Sequence, residues 1–335
     1  MATSGYHHLP RFAGELSPAM SDRELLGVDG RFVDFRDFPF DPETLGGLLE
    51  AGIGGLARAA EDPRRPLAER HMAGTLLAHL GDPRIDPLNP AMVTVAGGEV
   101  AIGLPAADVD AVMQDLAGLG LKREWIVKET PRHIVTLKSY RIGRYPVTNH
   151  EYRTFLVETG EERIPDSWFL GRYPADRANH PVYGITAEDA DAYARWLGGR
   201  TGRPFRLPRE AEWEYAAAGP GNFQYPWGKA FLPDHANTAE AGIMTTTPVG
   251  IFPSGRSPFG CFDMAGNVEE YVADAYAPYP GGAAVEDDLV SVVGRHRVAR
   301  GGSFSRFRDL ARNSRRHGKF PRPIYVMGFR LAEDA

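Results

Sequence analysis

The pattern of apolar and polar positions divides the chain into a helical first part and a longer second part of short, punctuated elements. From Pro42 to Leu80 the spacing is helical. Leu45, Leu48 and Leu49 share one face, and Leu67, Met72, Leu76, Leu77 and Leu80 recur every three or four residues until Gly81-Asp82-Pro83 stops the run. Residues 1–40 are irregular. Their phenylalanines (Phe32, Phe35, Phe38 and Phe40) predict a segment that packs on something.

The pattern changes at Pro90. Met92–Gly103 predicts two short strands around a Gly97-Gly98 turn, Ala107–Leu119 a helix, and the alternation over Pro131–Ile142 a strand. Three capped helices follow. One starts after Thr148 or Asn149, with Tyr152, Phe155 and Leu156 on its buried face. The next runs from Thr186 to Leu197, with Asp189 placed for a capping box and Gly198-Gly199 at its end. The third begins at Pro208 and stops at Gly219. Beyond Gly219 only loops and short strands are expected. The division expected is an irregular and helical extension over 1–89 and a main domain over 90–335.

Composition narrows the class. Aliphatic, aromatic and sulfur residues make up 43% of 335 residues, enough for a sizeable core. The 38 glycines and 27 prolines are too many for a helical bundle and too few to signal disorder. One cysteine, Cys261, excludes an intrachain disulfide and a cysteine-built zinc site. The first residues lack a basic stretch followed by an apolar run, and no window reaches the ~20 apolar residues of a membrane span. A cytoplasmic protein is the expectation.

Charge singles out one stretch. Between Ser291 and Arg330 stand ten arginines and one lysine against a single acid, Asp309. Without that stretch the chain carries 27 basic and 43 acidic residues. Nucleic acid is a poor partner for so anionic a chain with no second basic patch. The basic stretch is expected either to tie the fold together or to line a site for an anion.

Seven motifs in order carry a family resemblance. They are Arg144-Tyr-Pro-Val-Thr-Asn149, His180-Pro-Val182, Arg206-Leu-Pro-Arg-Glu-Ala-Glu-Trp-Glu-Tyr215, Tyr225-Pro-Trp-Gly228, Asp263-Met-Ala-Gly-Asn-Val-Glu-Glu-Tyr271, Arg300-Gly-Gly-Ser303 and Gly328-Phe-Arg330. Over roughly residues 90–332 the chain resembles the formylglycine-generating-enzyme (sulfatase-modifying factor) family. The resemblance implies an α+β, C-type-lectin-like fold with little regular secondary structure. It does not fix the chemistry, since that fold serves copper-dependent oxidases, ergothioneine-type iron sulfoxide synthases, a siderophore-chromophore maturation enzyme and variable binding proteins.

Each branch makes a different demand. The oxidases bind copper through a cysteine pair, and those positions fall here on Arg306 and Ala311, which cannot replace soft thiolates. Copper-dependent formylglycine formation is therefore not expected. The sulfoxide synthases hold iron with histidines and a carboxylate, but no His-x-x-x-His-x-Glu pattern occurs. An iron site drawn from His7, His8, His71, His133, His150, His180, His235, His296 and His317 stays open. The variable binders crowd their last segment with asparagine and tyrosine, where this chain has Asn313 and Tyr325.

The resemblance also implies calcium as a structural ion. Carried over by position, the ligands are Asp263, Gly266, Val268 and Glu270, with a weaker second set at Asn237 and Thr238. The reading reached is an enzyme acting on a small anionic, amino-acid-like substrate, with a non-heme iron oxygenase or oxidoreductase of a biosynthetic pathway among its forms. Its cleft is expected near Ser303 and Arg306, with Tyr225, Trp227, Arg315 and Arg316 as walls. The competing reading is a non-catalytic domain that holds a ligand or a protein in the same cleft.

Overall fold

The computed structural model describes residues 12, 14–28 and 32–335. His7 and His8 lie outside the described residues. A short helix α1 (Asp22–Leu25) precedes α2 (Pro42–Glu50), α3 (Gly52–Ala60) and α4 (Leu67–Leu80). These last three bury Leu48, Leu56, Leu67, Met72 and Leu77 against Ile243, Ile251 and Phe252. The helical part thus shares a core with the later chain, each fully buried aliphatic contributing about 1.5–3 kcal/mol.

Strands β1 (Met92–Val95) and β2 (Gly98–Ile102) come next, followed by helices α5 (Val109–Asp115) and α6 (Arg123–Val127). The helix expected over Ala107–Leu119 is shorter, entered through a 3-10 turn at Ala106–Asp108. The alternating stretch 131–142 is two strands, β3 (His133–Leu137) and β4 (Tyr140–Gly143). The glycine pair does not fold β1 onto β2. Instead β1 pairs with β4 and β2 with β3, in different sheets. Gly97 is needed for close approach: a Cβ there would meet the Leu137 carbonyl oxygen at 2.3 Å.

Helices α7 (Asn149–Thr159) and α8 (Ala187–Thr201) start where the caps predict, but α8 runs through Gly198-Gly199 to a cap at Gly202, and α9 (Glu210–Ala218) starts two residues after Pro208, with Arg209 as its N-cap. Thr148 and Thr186 close capping boxes with Glu151 and Asp189. Strand β5 (Glu269–Ala275), helix α10 (Asp288–Val293), and strands β6 (Arg297–Arg300), β7 (Met327–Phe329) and β8 (Ala332–Asp334) complete the chain. Helix α10 interrupts the loops and strands expected there. Strand β5 lies between β6, antiparallel, and β7, parallel, while β8 adds to β4. The result is an α+β fold of three small sheets. No helix among the described residues is long and apolar enough to cross a membrane.

Candidate functional site

Strand β5 carries two adjacent glutamates, and strand alternation sends them to opposite faces. Glu270 turns inward, where its carboxylate accepts from Arg330 Nε (2.5 Å), Arg330 Nη2 (2.6 Å) and Trp213 Nε1 (2.7 Å). Glu269 turns toward the arginine-rich segment. Its Oε2 lies 2.6 Å from His317 Nδ1, and its Oε1 lies 3.6 Å from Arg306 Nε.

These last side chains edge a pocket that also takes in Trp125, Asp309, Arg315 and Tyr325. Its cavity volume is about 80 Å³. Arg306 stacks on Tyr325, its guanidinium carbon 4.0 Å from the ring centroid. Its Nε and Nη2 are buried and have no hydrogen-bond partner among the described residues. Those two nitrogens form the side-on fork that a carboxylate accepts in bidentate fashion. Arg315 donates through Nη1 to the Trp125 and Arg316 carbonyls, and its Nε, 3.7 Å from Asp309, also lacks a partner among the described residues.

The electrostatics follow from burial. Burial pushes the Asp309 carboxyl up, against the pull of Arg315, His317 and Arg306. Burial would raise Glu269 too, but His317, Arg306 and Arg315 outweigh it and hold Glu269 below the usual carboxylate value.

Near Leu16–Leu25 the chain crosses one side of the pocket. Leu16, Pro18 and Leu25 line it, and Leu16 N–H donates to the Gly120 carbonyl at 2.7 Å. Arg322 fastens this segment, donating to the Met20 carbonyl (2.7 Å) and pairing with Asp22 (2.6 Å). Replacing Arg322 by alanine is expected to speed limited proteolysis within residues 14–28 several-fold. Unchanged cleavage there would show that the segment holds by its backbone contacts alone.

The residues singled out from sequence are only partly brought together. Arg306 and Arg315 meet at the pocket. Arg316 does not join them, because its guanidinium grips both oxygens of Glu210 at 2.7 and 2.8 Å. Ser303 is fully buried, its hydroxyl 3.1 Å from Ser305 Oγ, and Ser305 lines the pocket instead. Tyr225 and Trp227 stack on each other 5.5 Å apart and pack with Phe231 and Ala311, away from the pocket lining. In the sequence Glu269 is one residue of the Asp263–Tyr271 motif, and the signal for it is the Glu-Glu pair in a strand, which puts one side chain on each face.

Asp263 accepts from Gly250 N–H (2.9 Å) and Asn267 Nδ2 (3.3 Å), and burial pushes its carboxyl up to about 6. With Glu270 already spent on Arg330 and Trp213, the set Asp263, Gly266, Val268 and Glu270 does not fit calcium. A dication there would have to share its carboxylate with a guanidinium. At the second set, Thr238 Oγ1 donates to Glu240 (2.7 Å), and Asn237 Oδ1 is one buried acceptor without a partner among the described residues. For iron, no three of His, Cys, Asp and Glu among the described residues are grouped to hold a metal ion. Among the described histidines only His317 lines the pocket. Cys261 is buried in a core with Trp213 and Met264, and burial raises its thiol. It offers copper no second thiolate.

Comparison with known proteins gives this geometry its context. The family described as "Sulfatase-modifying factor enzyme 1-like domain" matches residues 80–335. The serine/threonine-protein kinase Pkn1 of Chlamydia trachomatis is 34% identical over 267 residues, covering 74% of this chain and 39% of the kinase. The chain therefore spans well under half the length of that relative. The formylglycine-generating enzyme of Streptomyces coelicolor is 32% identical over 305 residues, covering 72% of this chain and 89% of that enzyme. The hercynine oxygenase of Mycolicibacterium smegmatis is 30% identical over 279 residues, with coverage of 72% and 61%. Among solved structures, PvdO from Pseudomonas aeruginosa is similar with a TM-score of 0.55 and 28% identity, over 74% of this chain and 95% of that one.

Proposed function

Because this chain belongs to the sulfatase-modifying factor enzyme 1-like domain family, we propose that it is an enzyme whose Arg306 pocket binds a small, carboxylate-bearing, amino-acid-like substrate. The observation that carries this reading is the open guanidinium fork of Arg306, two buried N–H groups with no partner among the described residues. Burying such donors unpaired costs about 1–3 kcal/mol or more, which a bound carboxylate offsets. The relatives named as a formylglycine-generating enzyme and a hercynine oxygenase support an oxidative family. They do not supply this chain with a metal, and among the described residues no donor set fits copper or iron.

A non-catalytic binder would need an exposed apolar face at the same cleft. The exposed pair Phe169 (82%) and Leu170 (90%) is such a feature, but Phe169 borders a different groove, with Tyr173 and Arg177. The Arg306 pocket has apolar walls of its own, from Leu16, Pro18, Leu25 and Phe320, so the enzymatic reading rests on the family and on the open Arg306 fork.

Calorimetric titration with acetate and with glycine tests the proposal. Arg306→Ala is expected to weaken binding by about 10- to 100-fold, the worth of a charge-assisted hydrogen bond. Its melting temperature should stay within about 2 °C of wild type, a shift smaller than ~1 kcal/mol produces. A large loss of melting temperature with binding intact would show Arg306 to be architectural.

A further inference from the structure

We infer that Glu269 and His317 form a proton-transfer dyad serving the Arg306 pocket, with His317 Nε2 as the base toward a substrate held by its carboxylate. The inference rests on the reading of Arg306 as the carboxylate anchor, and it adds the group that acts on what Arg306 holds.

The geometry fixes the tautomer. An ionised carboxylate only accepts hydrogen bonds, so the 2.6 Å contact with Glu269 Oε2 places the proton on His317 Nδ1. The lone pair is then on Nε2, on a ring that lines the pocket and leaves 16% of its side chain exposed. Both partners are held by backbone. His317 exchanges two hydrogen bonds with Ala299 (2.8 and 3.1 Å), and Glu269 N–H donates to the Val326 carbonyl (2.9 Å). Glu269 is fully buried, and its Oε1 has no hydrogen-bond partner among the described residues. The carboxylate therefore serves His317 with Arg306 nearby, as an orienting group serves a base.

The charged and titratable groups around the ring are Glu269, Arg306, Arg315, Asp309, Tyr325 and His296. Burial holds the imidazole below its ordinary value, Glu269 opposes, and Arg306 and Arg315 add to the lowering. The lowering favours the neutral imidazole that a base requires. The step balances without any further reactant. A proton on the carbon beside the bound carboxylate passes to Nε2, and the pair of the broken C–H bond moves into that carboxylate, where the Arg306 guanidinium meets the added charge. The imidazolium that forms is compensated by Glu269, and the reverse step returns the proton.

The experiment is nitrogen–proton NMR of histidine-labelled protein, with His317→Gln to assign the ring and acetate as the probe. The neutral Nδ1–H tautomer is expected, with a midpoint below 6.5. Saturating acetate should raise that midpoint by about one unit, the effect of an opposite charge at ~4–6 Å. Arg306→Ala should abolish the rise. His317→Gln should still bind acetate within about threefold of wild type, because the anchor is untouched. Acetate bound by calorimetry with an unmoved His317 midpoint, or an Nε2–H tautomer, would overturn the dyad and leave the anchor standing. No acetate binding at all would overturn the anchor, and the dyad's substrate with it.

Discussion

Arg300→Met is expected to cost about 3–5 kcal/mol, the penalty for leaving a buried charge without its partner. At this chain length that lowers the melting temperature by about 10 °C. Arg300 is 1% exposed and spends every nitrogen. It donates to Glu214 (2.7 Å), Glu210 (3.1 Å), the Asn313 carbonyl (2.6 Å) and the Tyr279 hydroxyl (2.9 Å). Glu210 keeps Arg316 after the substitution, but Glu214 has no other ion-pair partner among the described residues. The second change Glu214→Leu should therefore recover much of the loss, since an apolar replacement of a buried pair is often neutral. No recovery in the double variant would place the loss in the Asn313 carbonyl, or in the Gly103 N–H that Glu214 also accepts (2.6 Å), rather than in charge.

The pH dependence has a definite sign. Burial would raise Glu210, yet Arg300 and Arg316 hold it below the value of 4.5 for a free glutamate. The stability it contributes is present above about pH 4.5 and lost as pH falls through its lowered folded value. Without Arg300 that folded value rises, so acid unfolding of the variant, followed by circular dichroism, should begin at higher pH than wild type.

What the sequence made legible is local. Thr148, Thr186 and Gly219 announce their helix ends because a cap involves residues three or four apart. Strand partners were not legible: Gly97-Gly98 has the look of a turn, and only the close pass of residues 137–139 reveals its use. The arginines show the same limit. Arg300, Arg306, Arg312, Arg315 and Arg316 are indistinguishable along the chain. What separates them is whether a glutamate from a distant segment reaches them. Glu129 takes Arg312 at 2.7 and 2.9 Å and Glu210 takes Arg316, while among the described residues no carboxylate comes closer to Arg306 than Glu269, at 3.6 Å. The partner of His317 lies 48 residues away, and no spacing rule connects them. The basic stretch is therefore mostly structural, and among the described residues its chemistry centres on Arg306, whose Nε and Nη2 both lack a hydrogen-bond partner beside His317.

Gly266→Ala separates a structural reading of the Asp263–Tyr271 loop from a metal-binding one. Gly266 has φ +79°, and a Cβ there would lie 2.4 Å from the Asn237 carbonyl oxygen. The backbone around it is stitched on both sides. Gly266 N–H donates to the Gly301 carbonyl (2.8 Å), and Asn267 N–H donates to that same Asn237 oxygen (2.7 Å). Neither strand can yield without breaking a bond, so the left-handed strain of more than ~1 kcal/mol adds to overpacking of about 1–3 kcal/mol. The control is Gly260→Ala, with φ +93° but nothing within 4 Å, where the backbone strain acts alone. The Gly266 variant should melt well below the Gly260 variant. Calcium decides the rest. A site filled at 100 times its Kd would add about 2.7 kcal/mol, but Glu270 is spent on Arg330 and Trp213. Wild-type melting temperature should thus be the same in millimolar calcium and in EDTA. A calcium-dependent rise that Gly266→Ala removes would establish the loop as an ion site. A rise removed by Asn237→Ala alone would place the ion at the second set, where the Asn237 Oδ1 acceptor stands open.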